Sequence, residues 1–308
     1  MAKLLTVATR GGKLALAQTQ IVIASLKRIH PDIEIKIKTI TTKGDRDRRT
    51  ALWKLKTTGF FTSRVEDCSL ADQADFAVHS FKDLLTHQRE GLTIAAVCER
   101  QFAEDCLISA DSASSIEQLQ PSAKIGTSSL RRIAQIKHLR PNLEPIPIRG
   151  NVPTRIARLE EGKFDAIVLA RAGIERLGLS DKISFCFDPA QFIPAPAQGA
   201  LAVQTRADNA ATRELIAAVD DEKARTTTFA ERQVLSMMRC GCHAPAGAFA
   251  AIVGGDITIC AFISDLEGRN FIRRQTTGPA ADADKLAEKI ANELLTAGGK
   301  QILEKLER

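Results

Sequence analysis

The 308-residue chain reads as an α/β protein whose mixed, largely parallel sheets are followed by a small α+β domain towards the C-terminal end. Three observations predict this. Apolar, strand-like runs alternate with helical patterns through the first two thirds, the order that builds parallel sheets flanked by helices. After Gly247 the pattern changes to short strands and a closing helix. The length is also about two to three times that of a typical domain, so more than one core is expected.

The elements follow in order. "LLTVAT" (4–9) is a strand, residues 13–29 a helix, and "IEIKIKTIT" (33–41) a strand with period-two alternation. A short apolar strand spans Phe76 to Val78. The same grammar recurs at "AKIGTSS" (123–129) before "LRRIAQIKHL", at "EPIPIRGN" (144–151) before "VPTRIARLEEG", and at "DAIVLA" (165–170) before "RAGIERLGL". "FIPAPAQGALAVQTR" (192–206) is rich in Pro, Ala and Gly before it becomes strand-like, which marks a crossover or hinge rather than a new core. A long helix is expected from Asp220 to Met238, then strands at 248–253, 256–264 and 270–277, then a helix from about Ala281 to Leu295.

With 44% hydrophobic and 26% charged residues and no apolar run of about 18 residues, membrane spans and intrinsic disorder are excluded. The opening residues lead directly into a strand without a signal-peptide pattern, so a cytoplasmic location is expected. Seven irregularly placed cysteines point to reduced thiols rather than a disulfide framework. Cys98 and Cys106 sit in or beside apolar runs and read as small buried hydrophobes. The net charge of +6 invites an anionic partner. Nucleic acid fits poorly, because aromatics make up 5%, Tyr is missing, and no basic run is interleaved with stacking residues. A small polyanion fits better.

Four stretches put Arg or Lys where strands hand over to loops or helices: "ATRGGK" (8–13), "GTSSLRR" (126–132), "IRGNVPTR" (148–155) and "ARAGIERLG" (170–178). "GTSSLRR" is the sharpest. Gly126 allows close backbone approach, Thr127, Ser128 and Ser129 offer hydroxyls, and Arg131 and Arg132 add two guanidinium forks at the positive end of a helix. Such an assembly suits carboxylates or phosphates, and the lack of a Walker lysine motif or G-x-G-x-x-G disfavours nucleotides. In "ADFAVHSFKDLL" (74–85) a strand ends at His79, Ser80, Phe81, Lys82 and Asp83. That pairing is either a surface Lys–Asp couple or an ionised carboxylate aimed at a ligand's N–H groups or developing cation. In "MMRCGCHAPAG" (237–247), Cys240, Cys242 and His243 lack the second cluster a structural zinc site needs and the C-x-x-C of a redox pair. No metal is expected, and a reactive thiolate stays open.

Taken together, these stretches resemble the hydroxymethylbilane synthase, or porphobilinogen deaminase, family. The resemblance runs in order through "ATR", "TTKGD" (41–45), "GFF" (59–61), "ADFAVHSFKD" (74–83), "GTSSLRR", "IRGNVPTR", "DAIVLARAGIERLGL" (165–179), "PAPAQGAL" (194–201), "AER" (230–232) and "GCHAPAG" (241–247). It implies two lobes like those of periplasmic binding proteins and a third domain: residues 1–98 with 193–217, residues 99–192, and residues 218–308. It also implies a dipyrromethane cofactor joined by a thioether to Cys242. Porphobilinogen units are condensed stepwise onto it with loss of ammonia, through an electrophilic azafulvene. After four additions the linear tetrapyrrole, 1-hydroxymethylbilane, is released hydrolytically. By the resemblance Asp83 is the catalytic carboxylate. Arg10, Lys54, Lys82, Arg131, Arg132, Arg149, Arg155 and Arg176, with Thr127 and Ser129, hold the acetate and propionate arms of cofactor and chain. A monomer whose product passes to uroporphyrinogen-III synthase is implied, as is a mobile cleft-covering loop around residues 42–58.

Gly12, Thr58, Phe81, Leu85 and Cys240 depart from the family's usual pattern, where Ser, a loop Lys, Met, Pro and Gly are common. The rival readings are a paralogue that keeps the bilobal fold as an anion-binding protein, and a bilobal receptor for another carboxylate. Retention of both Asp83 and Cys242 speaks against each.

Overall fold

In the computed structural model, which describes residues 3–42, 62–111, 113–240 and 244–306, strand β1 (Lys3–Arg10), helix α1 (Lys13–Ile29) and strand β2 (Ile33–Ile40) form the opening unit. β1 and β2 run parallel from Lys3↔Ile33 to Arg10↔Ile40. The apolar positions of α1 recur on one face, so Val22, Ile23 and Leu26 are buried against Leu5 and Val7 of β1. Burying each such side chain is worth roughly 1.5–3 kcal/mol. Helix α2 (Ser63–Leu70) precedes β3 (Phe76–Ser80), which lies parallel to β1 on its other side. β4 (Leu92–Val97) joins the sheet only through a strand that comes much later in the chain.

The chain divides into two compact units, the first comprising described residues up to 101 together with 199–225. The second holds β5 (Asp105–Ser109), β6 (Lys124–Gly126), helix α3 (Leu130–Leu139), β7 (Glu144–Ile146), helix α4 (Val152–Glu160), β8 (Ala166–Ala170), helix α5 (Arg171–Glu175) and β9 (Phe185–Cys186). The chain then returns to the first unit as β10 (Leu201–Arg206) and helix α6 (Ala210–Ala217).

The two sheets share one plan. The first has the order β2-β1-β3-β10-β4 and the second β7-β6-β8-β5-β9. In each, one strand runs antiparallel to both neighbours: β10 between β3 and β4, and β5 between β8 and β9. In both cases it is the strand formed as the chain crosses from one unit to the other. A long parallel ladder is therefore interrupted once per sheet, so these are mixed sheets.

Helix α7 (Glu222–Met237) leads to the antiparallel meander of β11 (Ala246–Val253), β12 (Asp256–Ile263) and β13 (Ile272–Pro279). Helix α8 (Ala283–Leu294) packs on this sheet through Ala287, Ile290, Ala291 and Leu294. The helical path breaks at Gly298, whose φ of 118° only glycine adopts without strain, and resumes as α9 (Lys300–Leu306). This meander with its helices is the small α+β part that the sequence pattern predicts.

Three expectations shift. The strand expected over 123–129 ends at Gly126, and that expected over 144–151 ends at Ile146. Pro147 has no N–H for the ladder, and residues 127–129 and 147–151 leave the sheet as loops. The closing helix also continues past its expected end, as α9.

Candidate active site

In the first unit the parallel pairing of β1 with β3 brings their C-terminal ends to the same edge of the sheet, Arg10 on one strand and Ser80 on the other. β3 ends in a single helical turn, Phe81–Asp83. Phe81 is fully buried, and its N–H donates to the Ala200 carbonyl at 3.1 Å. Leu84 is buried as well, so the turn is anchored on both sides of Lys82 and Asp83, which stay half-buried. The Asp83 carboxylate makes no hydrogen bond or ion pair with any of the described residues, which leaves its oxygens for a ligand. Ser80 is held by Gln18, with both side-chain contacts at 2.9–3.0 Å. Next to it His79 is buried, and burial together with the Arg10 charge outweighs the Gln204 side chain and holds its pKa down at about 4. The ring is neutral at pH 7.

The second unit builds a cationic cluster around one carboxylate. Asp105 has no solvent exposure. Its Oδ2 accepts from Arg131 Nη2 at 2.8 Å, and its Oδ1 accepts from Arg132 Nη2 at 2.7 Å and from Gln198 Nε2 at 2.9 Å. Burial alone would raise this carboxyl's pKa, but the two guanidiniums and the hydrogen bonds drive it well below the usual carboxylate range. Arg131 also donates to the Ile193 carbonyl at 2.7 Å, and Arg132 to that of Val168 at 2.9 Å. Among the described residues, two buried cations on one buried anion leave one positive charge uncompensated, and Arg132 Nε is buried without a partner. A dry, unneutralised cation is a site for an anion.

Arg155 extends the cluster. Burial lowers its pKa to about 10, and the other influences are the like charges of Arg132, Arg149 and Arg158. Helix α4 aims it: Asn151 caps the helix by accepting from Thr154 N at 3.0 Å, and Arg155 Nε donates to the Gly150 carbonyl at 2.8 Å. Gly150 has a φ of 111°, and a Cβ there would lie 2.7 Å from Thr154 Cγ2. The loops at 126–132 and 148–155 are tied together by Ser128, whose hydroxyl donates to the Ile148 carbonyl at 2.7 Å and accepts from the Ile148 N–H at 3.0 Å. Thr127 is buried, and Ser129 stands at the N-cap of α3 without a capping bond from its hydroxyl. Arg176 caps the C-terminal end of α5, half-buried. Arg171 is differently occupied. It bridges Glu104 and Glu175, both at 2.8 Å, and lies over the Phe102 ring.

Thus Arg131, Arg132, Arg149 and Arg155, with Thr127 and Ser129, come together in one unit, and Arg10, Lys82 and Asp83 share one sheet edge in the other. Lys54 and Cys242 lie outside the described residues. Sequence reasoning missed Asp105 and Gln198, and it offered the Ser128 hydroxyl to a ligand rather than to Ile148. It also passed over Glu231 of the "AER" stretch, fully buried, which accepts from Ala197 N at 2.6 Å and Ala250 N at 2.7 Å. Glu231 thereby steadies the crossover where Ala197 takes a φ of 59° and Gln198 reaches Asp105. The one available signal was that an Asp opening an apolar strand demands a partner.

Two mixed sheets of one plan, the second carrying a buried arginine cluster around Asp105, define an α/β protein with a cationic site. The family description "Porphobilinogen deaminase, dipyromethane cofactor binding domain" matches residues 5–214, and "Porphobilinogen deaminase, C-terminal domain" matches residues 225–296. The chain is 41% identical over 308 residues to the porphobilinogen deaminase of Carboxydothermus hydrogenoformans, covering 100% of this chain and 99% of the relative. It is 40% identical over 301 residues to that of Deinococcus radiodurans, covering 97% of each. The chain belongs to the porphobilinogen deaminase family. Solved structures similar to it include the methionine-binding protein MetQ, with a TM-score of 0.46, 11% identity and coverage of 72% of this chain and 92% of that one. A putative periplasmic sulfonate-binding protein from Methylobacillus flagellatus gives a TM-score of 0.42 at 14% identity, covering 75% of this chain and 68% of that one.

Proposed function

We propose that this chain works as a hydroxymethylbilane synthase, a transferase in which Cys242 carries the dipyrromethane and Asp83 is the catalytic carboxylate. The observation that carries the reading is identity of 36–41% over nearly the whole length of curated porphobilinogen deaminases. The donor set fits the group: its acetate and propionate arms are carboxylates, and the cluster around Asp105 holds an uncompensated positive charge. When bound, the dipyrromethane supplies the pyrrole α-carbon to which the first substrate unit is joined.

The protein's own residues divide the rest of the work. Arg131 and Arg132, already fixed by Asp105, receive carboxylate arms without first ordering long side chains. Arg149 and Arg155 take further arms as the product lengthens, and the mutual repulsion recorded at Arg155 is relieved by each anion that arrives. Arg10, Lys54, Lys82 and Arg176, with the hydroxyls of Thr127 and Ser129, complete the binding set. Asp83, with no ion pair among the described residues to compete, accepts hydrogen bonds from pyrrole N–H groups and stabilises positive charge developing on the nitrogens. Lys82 beside it shares a substrate arm.

A three-part division at 1–98 with 193–217, 99–192 and 218–308, a monomeric and cytoplasmic enzyme, and transfer of product to uroporphyrinogen-III synthase belong to the same reading. No helix among the described residues is long and apolar enough to cross a membrane. The test is the intact mass of protein purified from a host that makes porphobilinogen. An excess equal to a dipyrromethane is expected and should vanish in Cys242→Ser; a wild-type mass equal to the bare chain sinks the reading.

A further inference from the structure

One residue along β5 from Asp105, two thiols face each other across the edge of the second sheet. β5 and β9 are antiparallel, and their register sets Cys106 directly opposite Cys186. The Phe187 N–H donates to the Asp105 carbonyl at 3.0 Å. Residues 105 and 187 are therefore a hydrogen-bonded pair, and the cysteines, one step along, form a non-hydrogen-bonded pair. In such a pair the Cα atoms stand about 4.5 Å apart with both side chains on one face. That lies within the roughly 4.4–6.8 Å span that a disulfide bridges. Both thiols are free, and both pack on one apolar cluster, Cys106 inside it and Cys186 at its half-buried margin.

We propose that Cys106 and Cys186 form a site of reversible oxidative modification, closed by a hydroperoxide to an intrachain disulfide. The two sulfurs have different roles. Burial pushes both thiols up and the Arg171 charge favours the thiolate at each, but at Cys106 the neighbouring Asp105 charge adds to the upward push. Cys186 is also the more exposed of the two, so it meets the oxidant first. Its thiolate attacks the peroxide oxygen, the O–O bond breaks, and a sulfenic acid forms as the alkoxide or hydroxide departs and takes up the thiol's proton. Cys106 sulfur then attacks the Cys186 sulfur, the S–O bond breaks, and hydroxide leaves with the Cys106 proton as water. Two thiols lose two electrons, and the hydroperoxide ends as water and an alcohol, or as two waters.

Closure acts on stability rather than on the arginines. Asp105 and Cys106 are neighbours on a strand, so their side chains point to opposite faces. β9 is a two-residue edge strand, and the bond would tie it to β5 while enclosing the chain between residues 106 and 186. Constraining a loop of that length in the unfolded chain raises stability. The site is independent of the roles given to Asp83 and Cys242.

The test is peptide mapping of full-length protein after treatment with hydrogen peroxide, digested without reductant. A peptide joining Cys106 to Cys186, two hydrogens lighter than its parts, is expected, with a higher thermal midpoint that returns to its starting value on adding dithiothreitol. Cys186→Ser should show neither, and Cys106→Ala should leave a sulfenic acid at Cys186 that dimedone captures. Absence of the linked peptide in wild type, or capture of a sulfenic acid only at Cys106, overturns the proposal. Cys186→Ser changes a half-buried position and keeps the test readable if Cys106→Ala folds poorly.

Discussion

Asp105 is ionised where burial alone would neutralise it, and the guanidiniums that keep it ionised are themselves out of water. Removing one member of such a set costs more than the set contributes, because the remaining charges stay buried without a counter-ion. Asp105→Asn should therefore lower stability by about 3–5 kcal/mol, seen as a fall in the urea midpoint. It should also weaken retention of the cofactor, read by intact mass. Asp83 differs in kind. It is half-buried and unbonded to described residues, so Asp83→Ala should leave the unfolding free energy from urea titration within about 0.5 kcal/mol of wild type. Turnover should fall by roughly 10²–10⁴ with the adduct still attached. Near-normal turnover in that variant would remove Asp83 from its assigned role.

At the scale of elements, the cluster depends on two loops held at fixed geometry by Ser128 and by the glycine before α4. Gly150→Ala places a methyl group against Thr154 in a backbone conformation that alanine avoids. A loss of about 1–3 kcal/mol and a raised KM for porphobilinogen are expected; unchanged kinetics would show that loop geometry is not limiting. Much of the element plan was legible. The helix at 13–29 has the residues and bounds expected of it, because a 17-residue amphipathic run leaves little choice. That β5 and β10 would be the antiparallel strands of these mixed sheets was not legible, since an isolated apolar run carries no mark of its direction in a sheet. Asp105 was opaque for a similar reason: its partners are 26 and 27 residues away, and only the folded chain brings them to it. The arginines were legible in position but not in occupation, and Arg171 shows the difference. It looks like its neighbours in sequence yet is spent on Glu104 and Glu175.

For the whole molecule, the buried His79 sets a pH dependence whose sign can be worked out. Its pKa falls from about 6.5 in the unfolded chain to about 4 in the fold. Between these values the unfolded state binds the proton and the folded state does not. Stability is thus unaffected above the upper value, falls as pH drops through the interval, and levels off below it, for a total of about 3 kcal/mol. Urea titrations across that range should show the slope in wild type and its loss in His79→Gln; an identical slope in the variant would assign the effect elsewhere. The sheet order carries a different consequence, for synthesis. Among the described residues β4 has only β10 as a sheet partner, and β10 is made about a hundred residues later, after all the strands of the second sheet. As the nascent chain leaves the ribosome, β4 and one edge of β3 stay unpaired throughout that interval. The first sheet cannot close until the second is largely built, and for that interval the open strand edges are exposed to mispairing.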